Sequence, residues 1–355
     1  MRTLACFVSS HGYGHATRTC AVLAAMRARD PALALHVFTE VPAAVFERSV
    51  PGGVTWHRAW TDVGLVQASP FEEDLPATVR ALEQHVPFRD AEVGPLARAV
   101  LETGAQAVLC DISPLGLAVA RAAGLPSVLL ENFTWDWIYR GYLQAEPRLL
   151  PLADLLEAEL SSAALHLHTG PVAQERPGMH RLGMISRPPR CTRAQVRARL
   201  GLSERDKVVL FTLGGISWSF DTAPLPAGVT LLVPAPALRS DGPPGPVRLL
   251  GPDWFHPDLI AAADGVIAKV GYSTLAEVHR AGTPLAYLTR PGFRESPVLE
   301  RFILAELPCL ELLPAALEGG RWAEAIPALL AMRPRGPLED PDAAEQAAAL
   351  VAQVA

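Results

Sequence analysis

The chain has 355 residues, half of them hydrophobic and 19% charged, with a formal net charge of −6 and a pI of about 5.9. Such a length and apolar content suit a globular chain with ample core, long enough for two domains of ordinary size. The acidic balance argues against a general nucleic-acid binder. No apolar run of 18 residues or more occurs, so no transmembrane segment is expected. The five cysteines, Cys6, Cys20, Cys110, Cys191 and Cys309, are widely spaced and read as reduced thiols. With no signal-peptide pattern at the start, a cytoplasmic protein is expected.

Leu4 to Val8 reads as a buried parallel strand and Thr17 to Met26 as a helix. Between them lies SSHGYGHATR, residues 9–18. Gly12 and Gly14 permit tight turns and close approach of a ligand. The helix that follows directs unpaired N–H groups and a positive dipole end at the loop. Thr17 stands where a dinucleotide fingerprint needs its third glycine, and no Walker lysine follows. His11 and His15 lack a nearby Asp, Glu or Cys to complete a metal set, so no metal is expected. The plainer alternative is a glycine turn carrying surface histidines.

Strands at 35–39 and 54–59 come next, then a helical stretch from about 76 to 101 with breaks at Pro87 and Pro95. The strand AVLCD ends in Asp111. A helix over 113–124 is stopped by Gly124, and a strand from Pro126 to Leu130 empties into ENFTWDWIYRGYL, residues 131–143. Residues 164–168 close this half. Residues 170–192 hold four prolines and no periodicity, which marks an interdomain connection. A second half repeats the alternation, with strands at 208–213, 229–233, 265–268 and 284–288. Its helices fall at 259–263, 273–281 and 296–306, and a last helix occupies about 340–354. Alternation of this kind predicts two doubly wound parallel sheets whose carboxyl-edge loops face a cleft. The expected divisions are 1–170, a linker at 171–190, a second domain at 191–335, and a terminal helix at 336–355.

The loops of the second half carry FTLGGIS, residues 211–217, and VIAKVGYSTLAEVHRAGTP, residues 266–284. Gly271, Ser273 and Thr274 open a helix suited to a diphosphate, and Lys269, one of two lysines in the chain, suits its charge. Glu277, one turn further, suits the hydroxyls of a ribose. Arg294 and Glu295 follow the next strand in a loop suited to a sugar. The alternative is plain capping, with Ser273 as N-cap and Glu277 solvated.

The stretch GYSTLAEVHRAGTPLAYLTR, residues 271–290, resembles the donor-nucleotide segment of GT-B glycosyltransferases and is similar to that of the peptidoglycan N-acetylglucosaminyltransferase group. A closer resemblance is to the glycosyltransferase-like N-terminal region of plant L-arabinokinases. It rests on HGYGHATR (11–18), DISPLGLAVARAAGLPSVLLENFTWDWIY (111–139), DLIAAADGVIAKVGYSTLAEV (258–278) and FRESPVLERF (293–302). These stand in the same order, across about residues 3–305. The Gly-Leu-Ser-Ser-Ser-type loop of the kinase half is missing, so arabinose phosphorylation is not implied.

The resemblance implies a GT-B fold of two Rossmann-like domains and transfer of a sugar from a nucleoside diphosphate donor, with a UDP-sugar expected and no cofactor or metal. His15 matches the glycine-loop histidine and is assigned as catalytic base, with Asp111 to orient it or to bind the acceptor; His11 is the competing base and an acceptor contact. Asn132, Thr134, Trp135 and Asp136 are assigned to the acceptor. The alternative for them is a helix start with the tryptophans in the core. The donor nucleotide falls to Gly214, Gly215, Lys269, Gly271, Ser273, Thr274 and Glu277, and the donor sugar to Arg294 and Glu295. WSFDTAPLPAGV, residues 218–229, lacks a convincing helix, which weakens the phosphate contact at Gly214 and Gly215. Arg18 reads as a phosphate contact or an exposed helix arginine. Expected partners are the donor, a small-molecule or glycan acceptor, and a sugar kinase on a separate chain. The rival readings are a nucleotide-sugar 2-epimerase on the same fold and a non-catalytic sugar- or nucleotide-binding module.

Overall fold

The computed structural model describes residues 2–69, 71–213, 223–234, 247–251, 253–338 and 343–354. The chain divides into two compact units, Met1–Ser186 with Pro341–Ala355, and Arg187–Asp340.

The first unit opens with β1 (Thr3–Val8), α1 (Gly14–Arg29), β2 (Ala34–Thr39), α2 (Ala43–Glu47) and β3 (Thr55–Arg58). A small ribbon, β4 (Gln67–Ser69) and β5 (Glu72–Glu73), precedes α3 (Leu75–His85) and α4 (Asp90–Glu102). Then come β6 (Ala107–Asp111), α5 (Pro114–Ala123), β7 (Ser127–Glu131), α6 (Trp135–Arg140), α7 (Leu149–Leu160), β8 (Leu165–Thr169) and β9 (His180–Leu182). Among the described residues seven parallel strands form one sheet, in the order β3-β2-β1-β6-β7-β8-β9. β1, β6 and β7 are buried along their whole length, as strands covered by helices on both faces must be. The order reverses between β1 and β6, where Val8 pairs with Asp111. That is the topological switch point, where an open α/β sheet leaves a crevice for ligands.

The second unit runs α8 (Arg193–Arg199), β10 (Lys207–Thr212), β11 (Val229–Pro234), β12 (Val247–Leu250), α9 (His256–Ala262) and β13 (Gly265–Lys269). It continues through α10 (Tyr272–Ala281), β14 (Leu285–Leu288), α11 (Ser296–Glu306), β15 (Cys309–Leu312), a 3-10 stretch over Pro314–Ala325 and α12 (Ile326–Ala331). Its described sheet is β12-β11-β10-β13-β14-β15, with the switch point between β10 and β13. The chain then returns to the first unit as α13 (Ala343–Ala352). There Ala343, Ala344, Ala347, Ala348 and Val351 join the core formed by β1, β2 and the buried face of α1. Small residues on α13 let the two helix backbones approach closely.

Several local expectations need correction. Pro95 does not break α4; it lies inside the helix on an exposed face, where water can satisfy the carbonyl its ring leaves unpaired. The break at Pro87 stands, between α3 and α4. His180–Leu182, inside the expected linker, pairs with β8 as an edge strand. Gly124 and Gly282 end their helices in the left-handed conformation. Cys6, Cys20 and Cys110 are buried, Cys309 is half-buried and Cys191 exposed, and all five are free thiols.

Candidate functional site

In the first unit the side chains converge on the switch point. Asp111 ends β6 fully buried, and its side chain bonds to α1. Its Oδ2 accepts Arg18 Nε at 3.0 Å and Thr19 Oγ1 at 2.9 Å; its Oδ1 accepts Arg18 Nη2 at 2.5 Å and lies 3.1 Å from His15 Nδ1. Burial opposes the carboxylate charge. The bidentate Arg18 guanidinium overcomes it, aided by His15, and holds Asp111 below its ordinary range. Arg18 Nη1 continues to Asn132 Oδ1 at 2.5 Å. Arg18 is therefore neither a phosphate contact nor an exposed helix arginine: it is 2% exposed and clamps β6, α1 and the end of β7 together.

His15 keeps 7% of its surface exposed. Nδ1 lies 3.1 Å from Asp111 Oδ1, which can only accept, and 3.2 Å from Arg18 Nη2, which can only donate, so the two contacts call for opposite tautomers; the one that lets Asp111 orient the ring carries its proton on Nδ1. Nε2 is then the basic lone pair, and no described group hydrogen-bonds it. Phe133 meets the imidazole edge-on at 5.8 Å and Trp135 lies 6.4 Å away, so the ring is held in an aromatic wall. His11 differs. Its Nδ1 accepts the Leu65 N–H at 3.4 Å, so that nitrogen's lone pair is engaged within the protein. It packs against Gly64, where an added Cβ would come within 2.6 Å of the His11 ring, and edge-on to Trp135 at 5.0 Å.

The expected acceptor loop is mostly interior. Asn132, Thr134, Trp135 and Asp136 are each at most 2% exposed. Asn132 serves Arg18, Arg176 Nη2 donates to Thr134 Oγ1 at 2.8 Å and Asp136 Oδ2 at 3.2 Å, and Trp135 Nε1 donates to Asp62 at 2.8 Å. Their polar groups are engaged within the protein, so the loop is a buried backing for His15 rather than a sugar-facing surface. Thr134 sits at the N-cap of α6 without a side-chain capping bond. Ile112, next to Asp111, is the one described non-glycine residue at positive φ, +43°. Such a conformation costs about 1–3 kcal/mol, and it sits beside the residue that orients His15.

In the second unit Lys269 ends β13, and Gly271, in extended conformation, is the N-cap of α10. Ser273 is thus inside the helix rather than its cap. Ser273 and Thr274 are half-buried, and nothing lies within 4 Å of a Cβ added at Gly271, which leaves open space over the helix start. Lys269, Gly271 and Thr274 line one small depression together with Tyr287 and Ile303. Gly214 and Gly215 lie outside the described residues. Arg294 is half-buried and Glu295 buried just ahead of α11.

Glu277 is buried and fully engaged. Oε1 accepts Arg187 Nε at 2.9 Å and Nη2 at 2.7 Å, and Oε2 lies 2.7 Å from His256 Nδ1. His256 Nε2 in turn reaches Thr212 Oγ1 at 3.3 Å. Burial opposes the Glu277 charge, but Arg187 and His256 hold its carboxyl below the ordinary range. Arg187 lies 90 residues upstream, and sequence reading missed it; the bare run of arginines at 187, 190 and 193 was the only signal. Among the described residues no three His, Cys, Asp or Glu side chains gather as a metal centre requires, and no helix is long and apolar enough to cross a membrane.

No protein-family model matches the chain. It is 29% identical over 342 residues to an L-arabinokinase of Arabidopsis thaliana, covering 92% of this chain and 32% of that protein; the chain spans about a third of its relative's length. In structure it is similar to the glycosyltransferase SnogD from Streptomyces nogalater, at 18% identity, a TM-score of 0.59 and 100% of each chain. It is also similar to UGT71G1 from Medicago truncatula, solved with UDP-glucose, at 10% identity, a TM-score of 0.59, 99% of this chain and 98% of that one. The fold and the resemblance expected from the motifs are both borne out: the chain has the GT-B fold of glycosyltransferases and is similar in sequence to a plant L-arabinokinase.

Proposed function

We propose that the chain is a glycosyltransferase that moves a sugar from a nucleoside diphosphate donor, a UDP-sugar, to a hydroxyl acceptor without a metal ion. The observation that carries this reading is the His15–Asp111 pair at the switch point of the first sheet, with Nε2 as an available base. In the proposed reaction Nε2 takes the proton of the acceptor hydroxyl. The acceptor oxygen then bonds to the anomeric carbon as its bond to the diphosphate oxygen breaks, and the nucleoside diphosphate leaves. Lys269 and the N–H groups at the start of α10 are assigned to the charge that develops on it. Glu277 is assigned to the ribose, and Arg294 and Glu295 to the donor sugar. UGT71G1, on the same fold, was solved with UDP-glucose, which supports the choice of donor.

One observation favours a second reading, a binding module without turnover: Glu277 is already occupied by Arg187 and His256. The test begins with a thermal-shift and calorimetric screen of nucleotides and nucleotide sugars, since a ligand of the folded state raises its melting temperature. Turnover of the sugar that binds is then followed in EDTA against a panel of hydroxyl acceptors. The His15→Ala variant is expected to lose transfer by about 10²–10⁴-fold, the usual worth of a general base, while its donor Kd stays within about twofold. Donor binding with no transfer to any acceptor favours the module. No nucleotide binding at all sinks the transferase reading.

A further inference from the structure

A ribose presents two neighbouring O–H donors to a carboxylate. One edge of a guanidinium presents two neighbouring N–H donors in much the same span. On Glu277 that second arrangement is already in place, with Nε and Nη2 of Arg187 both on Oε1. The other oxygen is kept by His256, whose far nitrogen is anchored on Thr212 at the end of β10. An incoming diol therefore finds Oε1 filled by two donors and a single acceptor site left on Oε2, too few for both of its hydroxyls. The Arg187 side chain is 11% exposed and that of Glu277 3%, so water does not screen the pair.

We propose that Arg187 is a latch on the donor carboxylate, holding Glu277 while no nucleotide is bound and leaving it when a ribose diol takes its place. This rests on the donor role proposed for Glu277 and adds a residue that sets how tightly and which nucleotides bind. Two further features favour exchange over a permanent bridge. Arg187 lies in the irregular segment between β9 and α8, so its side chain moves without breaking a helix or a sheet ladder. The Arg187 Cζ already lies 4.9 Å from the Phe255 ring, a cation–π contact the guanidinium can keep when it leaves the carboxylate. His256 stays with Glu277 throughout and keeps the carboxylate aimed.

A site that must open before it binds shows an affinity reduced by the fraction of molecules that are open. Calorimetric titration of UDP and 2′,3′-dideoxy-UDP into the wild type, Arg187→Ala and Arg187→Lys reads that fraction, with thermal melts to confirm folding. Arg187→Ala is expected to bind UDP about tenfold more tightly than the wild type. Arg187→Lys should fall between them, because an ammonium keeps the charge but lacks the two-pronged grip. The dideoxy nucleotide, with no diol to offer, should bind all three alike. UDP affinity that is unchanged or weaker in the variants overturns the latch and leaves the donor reading standing. Absence of UDP binding to all three folded proteins overturns both. Should Arg187→Ala not fold, the comparison of Arg187→Lys with the wild type decides.

Discussion

Asp111 and Glu131 end adjacent strands of one sheet, both buried, in opposite electrostatic surroundings. Asp111 has Arg18, Thr19 and His15 and stays charged. Neither oxygen of Glu131 has a hydrogen-bond partner. Burial, only partly offset by Arg176 and reinforced by Asp136, pushes its carboxyl up to about 7, from an ordinary 4.5. The folded protein thus keeps this proton at pH values where the unfolded chain has released it. Stability from this group is fullest below about pH 4.5, falls as pH rises towards 7, and stays low above that. Glu131→Gln mimics the protonated acid. It should be more stable than the wild type at pH 8 by about 3 kcal/mol, each pH unit between the two values being worth about 1.36 kcal/mol, and nearly equal to it at about pH 4. Denaturant unfolding at the two pH values checks this; an equal difference at both would rule out Glu131 as the titrating group.

Elements pack here with little tolerance. A Cβ at Gly116 on α5 would lie 2.5 Å from Phe7 Cβ and 2.7 Å from Cys110 Sγ, so the helix rests directly on β1 and β6. Gly116→Ala should lift α5 and cost about 1–3 kcal/mol, read as a lower melting temperature. The elements themselves were largely legible. Buried strands show as apolar runs and left-handed glycines at 124 and 282 show as helix stops, whereas α8, started by the capping box of Thr192 and Gln195, went unexpected. The candidate sites were legible only as composition. HGYGHATR announces a loop with a base in it, yet nothing local says that Arg18 turns inward to meet Asp111 and Asn132, 93 and 114 residues away. ENFTWDW reads equally as sugar platform and helix start, because aromatic and polar side chains serve both; burial decides between them. Glu277 gave the same ambiguity, since its partner Arg187 is fixed by tertiary packing and not by spacing.

At the scale of the whole molecule, the first unit is discontinuous in sequence, and α13 supplies part of its core. The exposed Arg29–Glu345 pair, 3.6 Å apart, adds little to that docking. The buried Ala347, Ala348 and Val351 hold it. Removing residues 341–355 should therefore loosen the first sheet selectively. Hydrogen exchange is expected to speed up in β1 and β2 and to stay unchanged in β10 and β13; equal acceleration in both sheets would contradict the division.

The same connectivity orders events on the ribosome. In a chain made from its N-terminus residues 2–186 are complete long before α13 is added, so the first unit lacks a wall of its core all the while residues 187–340 are being made. Nascent chains, growing at roughly 5–20 residues per second, usually fold N-terminal domain first. Here the earlier unit cannot complete its core until the late helix arrives, and the face of α1 that awaits α13 is the surface a chaperone would meet on the growing chain.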